Sequence, residues 1–246
     1  QGTTTDEEDT NTTITGKSDK NTVTIKAENE NDKVEVTLKD VNIKTTGGKA
    51  AVSVTGKGDT NIELDGDNEL KSGAGHAGLE HNKTDTSGEL TIQDKDNNGS
   101  LEAAGGFKGA GIGSAGSHDA QVKITGGNIT ATSDDWGAGI GSGSYGTGTV
   151  EITGGEINAT GGYLGAGIGG GCNGSGNVTI SGGTITAAGG DGAAGIGGGY
   201  YNGATVTITG DAVIKNASTT VYGAGIGGGK GGDGDVTISG NAKIEN

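Results

Sequence analysis

Seven aromatic residues are the side chains best suited to ligand chemistry in this chain: Phe107, Trp136, Tyr145, Tyr163, Tyr200, Tyr201 and Tyr222. Their placement is regular. Phe107, Trp136, Tyr163 and Tyr222 each lie four or five residues before the isoleucine of a recurring Gly-Ala-Gly-Ile-Gly phrase (Ala-Ala-Gly-Ile-Gly in one copy), and Tyr145, Tyr200 and Tyr201 lie four or five after it. Aromatic faces pack against the C–H faces of sugar rings as they do against other apolar surfaces. The residues on either side of each isoleucine are glycines, such as Gly139 and Gly141 or Gly167 and Gly169. Taken as the outward positions of a strand, they predict a bare backbone floor with an aromatic edge on each side, a groove for an extended polysaccharide or host glycan. The competing reading is an aromatic ladder that stiffens the corners, with glycine chosen for its backbone freedom.

Other candidates are weaker. Asp94, Asp96 and Asn98, followed by Gly99, imitate the opening of a calcium loop, with oxygen ligands at positions 1, 3 and 5 and glycine at 6. The glutamate that belongs at position 12 is replaced by Gly105. Asp and Asn are also ordinary turn residues, so calcium is an expectation with a bland rival, and Asp65, Asp67 and Asn68 one repeat earlier are its nearest source of extra ligands. His76 and Glu80, if extended, would stand ~13 Å apart, too far to pair. His81 and His118 read as corner residues, and Cys172 as a free corner thiol. Glycoside hydrolysis needs two carboxylates about 5–9.5 Å apart across the bond. Only Asp134-Asp135 sits beside an aromatic edge, and adjacent loop carboxylates are usually solvated. With no arginine in the chain, a lyase base would have to be lysine. The expectation is a non-catalytic protein with no catalytic residues.

The elements that must position these residues follow from three interlocked phrases. The isoleucines Ile112, Ile140, Ile168, Ile196 and Ile226 are 28, 28, 28 and 30 residues apart. Val-x-Ile keeps the same beat from Val122/Ile124 to Val236/Ile238, and Gly-Gly-x-Ile-x-Ala falls between at Ile129/Ala131, Ile157/Ala159 and Ile185/Ala187. Each phrase alternates apolar with polar or glycine residues, the period-2 signature of a strand with one buried face, and none has helical spacing. Three short strands per 28 residues joined by glycine corners describe one coil of a solenoid. The fold expected is all-β: a single-stranded, right-handed parallel β-helix of about eight coils. Residues 1–12 form an acidic leader, 13–246 a single domain, with divergent N-terminal coils over 13–105 and regular repeats over 106–246.

The repeat text GTVEITGGEINATGG and GAGIGGG, with VEVTLKDVNI, ELDGDNELKSG and GELTI before it, resembles the Gly-rich β-helical domains of secreted bacterial surface proteins. These occur mainly in Gram-positive bacteria, are often described as carbohydrate-binding, and read as adhesin-like. The resemblance covers about residues 14–246 and implies an extracellular or cell-surface protein whose partner is a polysaccharide, sometimes with calcium. The rival from a different class is a structural stalk; a polysaccharide lyase or hydrolase comes third. A net charge of −15 disfavours nucleic acid and anionic membrane as partners, and no apolar run approaches the ~20 residues of a membrane helix. The last repeat ends after its second strand phrase, which reads as a monomeric fragment of a larger surface protein.

Overall fold

A computed structural model describes residues 12–245 and is all-β, a parallel solenoid of eight coils with two strands of a ninth. Each regular coil has three strands, as in Gly148–Ile152, Glu156–Thr160 and Ile168–Gly169. Equivalent strands pair in register from coil to coil: Val122 with Val150, Val150 with Val178, and Val178 with Val206. Ile129, Ile157 and Ile185 form a second stack. Ile112, Ile140, Ile168, Ile196 and Ile226 form a third, which Leu79 extends towards the N-terminus. Neighbouring parallel strands lie about 4.8 Å apart, so each side chain rests on its counterpart one coil away.

The hydrogen-bonded sheets number two, not three. In the early coils the first and second walls are one continuous strand, Lys33–Lys44 and then Asp59–Lys71. From the fourth coil on that strand is divided, into Leu90–Gln93 and Gly99–Gly105. In the regular coils a glycine pair makes the division, because Gly127, Gly155 and Gly183 all take positive φ, where glycine turns the chain without a steric penalty. The two walls therefore join into a single 15-stranded sheet, and the two-residue Ile-Gly strands align with Val23–Ala27 and Val52–Gly56 in an eight-stranded one. The eighth coil absorbs its extra length partly as a bulge, where Lys215 is skipped between the pairs Ile185–Ile214 and Thr186–Asn216. Of the expected leader, residues 1–11 lie outside the described residues, and Thr12 already belongs to the first strand.

The core is a narrow tube. Ile112, Ile124, Ile129, Ile140, Ile152, Ile157, Ile168 and Ile180 are all completely buried, and full burial of such a side chain stabilises by about 1.5–3 kcal/mol. At the final coil the stack loses its cover, and Val236, Ile238 and Ile244 become 36%, 49% and 38% exposed. The same substitution should therefore differ in effect along one fold. Ile168→Ala is expected to lower unfolding free energy by about 3 kcal/mol, and Ile238→Ala by under ~1 kcal/mol. Chemical denaturation of both variants checks this; equal losses would mean that the inter-coil stack is not the source of stability.

Candidate functional site

The segment between the aromatic residues does not form an open floor. Gly111, Gly113, Gly139, Gly141, Gly167 and Gly169 are buried, with main chain packed against them. A β-carbon on Gly139 would come within 2.7 Å of both Gly167 O and Thr160 N, and one on Gly167 within 2.6 Å of Gly195 O. Backbone fills the space that the alternation assigned to solvent. Each phrase is also pinched: Ala138 N–H donates to Ser142 O, Ala166 N–H to Gly170 O, and Ala194 N–H to Gly198 O. Its two flanking loops are thereby drawn together.

Those loops then bond directly across neighbouring coils. Ser144 N–H donates to Lys108 O, Cys172 N–H to Trp136 O, Tyr200 N–H to Leu164 O, and Lys230 N–H to Gly192 O. The two expected aromatic edges are one seam running along the solenoid over coils four to eight. Phe107 and Trp136 pack with ring centroids 5.2 Å apart, and Lys108 Nζ lies 5.3 and 5.0 Å from them. At the other end Lys230 Nζ lies 4.7 Å from the Tyr222 ring and 5.8 Å from Tyr200, whose own ring centroid is 4.0 Å from that of Tyr201. Midway, Tyr163 donates its hydroxyl to Asp191 Oδ2 at 3.2 Å.

The seam is both ladder and exposed surface. Trp136 and Tyr200 are half-buried, whereas Phe107, Tyr145, Tyr163, Tyr201 and Tyr222 are 40%, 56%, 58%, 57% and 74% exposed. The bond to Asp191, and after it that carboxylate's charge, raises the Tyr163 hydroxyl above its ordinary range. A side-chain hydrogen bond with Tyr201 pushes Tyr200 up to about 12. Both stay protonated donors at neutral pH. Burial, with Asp135 nearby, raises the Cys172 thiol, which disfavours the reactive thiolate.

One feature of the seam was not legible in residue spacing. Ser117, Tyr145, Asn173, Tyr201 and Gly231 occupy equivalent tips, and all five have positive φ, at 65°, 67°, 54°, 64° and 77°. Asn and Gly suit that conformation; for other residues it is unfavourable by roughly 1–2 kcal/mol. Tyr145 and Tyr201 therefore hold turn positions against their own backbone preference while leaving more than half their surface exposed.

The remaining candidates each have partners within the fold. Asp94 Oδ1 accepts Asn98 N–H and Oδ2 accepts Gly99 N–H, each at 3.1 Å, which makes the carboxylate a turn cap. Asp96 and Asn98 are exposed. In the neighbouring corner Asp65 pairs with Lys39, Asp67 accepts the Ser100 hydroxyl, and the Asn68 amide binds Val41 N–H and the Ser100 carbonyl. No group of three His, Cys, Asp or Glu is placed to hold a metal ion among the described residues. His76 and Glu80 do pair, with Nδ1 to Oε2 at 2.8 Å. The extended-chain spacing fails because 74–76 is a turn and only Leu79–Glu80 is strand. Glu80 also accepts Ala77 N–H, the bond that a main-chain carbonyl supplies to Ala110, Ala138 and Ala166. It is the third coil's own way of closing the pinch.

His81 is 2% exposed, and its Nδ1–H donates to Gln121 O at 3.2 Å. Burial first, and Lys83 second, lower its pKa below the ordinary 6.5, against the pull of carbonyls of Gln121 and Gly88.

A beta helix repeat family model matches residues 122–144, 150–172 and 178–200. The chain is a parallel β-solenoid carrying beta helix repeats. Comparison with curated proteins and with solved structures found no match. The three matched stretches each run from a Val-x-Ile strand through the glycine phrase to the seam, and they carry Trp136, Tyr163 and Tyr200.

Two outcomes follow from this geometry. Gly139→Ala is expected to destabilise by about 2 kcal/mol or more, as overpacking against backbone does, whereas exposed Gly47, which has open space around it, should accept alanine with little change. Thermal melts of both variants decide. For His81 the unfolded chain binds the extra proton, so folding stability is fully present above pH 6.5 and falls as pH drops from there towards the lowered native value. Urea titrations at pH 7.5 and 5.5 should show that drop shrinking in His81→Gln; an unchanged drop would assign it to other groups.

Proposed function

We propose that this solenoid is a non-catalytic scaffold that binds an extended polysaccharide or host glycan along its aromatic seam, as part of a secreted or surface-attached bacterial protein. The observation that carries the reading is the convergence of all seven aromatic side chains on one strip of a chain that is only 3% aromatic. Five of them keep 40% or more of their surface in solvent. A seam needed only for rigidity would bury its rings, and a plain spacer would gain nothing from presenting them. Apolar faces flanked by hydrogen-bonding groups match a pyranose, which offers C–H faces and a rim of hydroxyls. Tyr163, Asp191 and Asp135 supply that rim. The stalk is the second reading, favoured by the continuous main-chain ladders between coils.

Trp136→Ala and Tyr163→Ala separate the two. Under the glycan reading, Tyr163→Ala weakens binding to an extended glycan by about tenfold or more, equivalent to ~1.4 kcal/mol, with its melting temperature nearly unchanged. Half-buried Trp136→Ala loses both affinity and some stability. A glycan array followed by calorimetry, with and without calcium, is the measurement. If both variants lose stability alone, or no glycan is retained, the stalk reading stands.

A further inference from the structure

Resting on the glycan reading, we infer that the ligand lies parallel to the solenoid axis and is a neutral, ribbon-like glycan of β-1,4-linked pyranoses, with alternate sugars stacked on Tyr145 and Tyr201. The five equivalent tips run Ser117, Tyr145, Asn173, Tyr201 and Gly231, so ring, amide and ring alternate coil by coil. Main-chain bonds hold them in one line, from Ser117 N to Ser144 O, Tyr145 N to Cys172 O and Asn173 N to Tyr200 O. Two coils separate the tyrosines, which places their rungs about 10 Å apart. In a two-fold ribbon every second sugar presents the same face, and one disaccharide repeat is of that length. The ring under one sugar thus recurs under the next but one, and the Asn173 amide meets the hydroxyl rim of the sugar between.

Backbone conformation supports the assignment independently of spacing. At both tyrosine tips the chain adopts the left-handed region that asparagine and glycine fill without strain, so the turn itself does not ask for tyrosine. Gly231, at the next tip, leaves the Tyr201 ring uncovered, since a β-carbon there would sit 3.5 Å from Tyr201 Cδ1. The charge of the ligand follows from its surroundings. Asp191 lies on the seam as the acceptor of the Tyr163 hydroxyl, the ammonium groups of Lys108 and Lys230 are already held over the Trp136 and Tyr222 rings, and the chain carries a net −15. A polyuronate would meet repulsion from Asp191 and from that net charge.

The test titrates the whole chain with β-1,4-linked glucose and N-acetylglucosamine oligomers of two, four and six units, and with oligogalacturonate as the acidic control. A tetramer reaches both tyrosines and a dimer only one. One of the two neutral series is expected to gain about tenfold in affinity from dimer to tetramer and little from tetramer to hexamer. Tyr145→Asn and Tyr201→Asn should each remove that gain; the melting temperature holds or rises in Tyr145→Asn, because asparagine suits the turn, whereas Tyr201→Asn also gives up the ring packed on Tyr200. A tetramer no tighter than the dimer, preferred binding of the acidic series, or unchanged affinity in both variants would overturn the proposal. Loss of binding in Tyr163→Ala but not in the two tip variants also overturns it, and leaves the glycan reading in place. Silence from both neutral series with another glycan retained on the array rejects the ribbon alone. Silence from every glycan rejects the reading beneath it as well.

Discussion

Backbone meets backbone beneath the seam, and the rest of the molecule depends on that contact. Gly111, Gly139, Gly167 and Gly195 each lie where a β-carbon would stand 2.6–2.8 Å from main-chain atoms of a neighbouring coil. Removing the side chains lets the third wall shrink to two strand residues, Ile and Gly. So short a wall cannot hold its flanking loops apart. They close over it, bond to one another, and carry seven aromatic residues into a single strip. An alanine in any of these positions would push coil from coil, and the seam would open with the core.

This explains which parts of the structure were legible in the sequence. The period of 28 and the inward residues are legible because a stacked coil repeats its apolar side chains in register, as Ile112 through Ile226 do. Alternation alone places the glycines outward because it assumes that every second position of a strand reaches solvent. That holds for Glu151 and Thr179, which flank Ile152 and Ile180 on an open sheet. It fails in a two-residue strand overlain by its own loops. Glycine is silent in a hydrophobicity pattern, so only the neighbouring backbone distinguishes a bare floor from a packed interior. His76 and Glu80 were separated for a related reason: a strand was assumed where the chain turns.

The candidate site was half legible. That the aromatic residues cluster at corners could be read from their offsets to the repeated isoleucine. That the corners coincide could not, since the bonds joining them, such as Cys172 N–H to Trp136 O, are main-chain bonds between residues of no shared type. The left-handed tips were hidden in the same way. Ser117, Asn173 and Gly231 are unremarkable turn residues, and only φ reveals that Tyr145 and Tyr201 share their conformation.

Main-chain bonding also separates what the solenoid requires from what its surface can vary. At the position before each tip the residues are Gly116, Ser144, Cys172, Tyr200 and Lys230, all different. Their N–H groups nevertheless make one kind of bond, to the carbonyls of Gly75, Lys108, Trp136, Leu164 and Gly192. A bond that uses no side chain places no demand on it, so one position accommodates the buried Ser144 and Cys172 as well as the ring of Tyr200 and the ammonium of Lys230. The fold is fixed by residues that point inward or have no side chain at all. Variation is left to the other positions, and at Tyr145 and Tyr201 the residue present is one that the backbone disfavours.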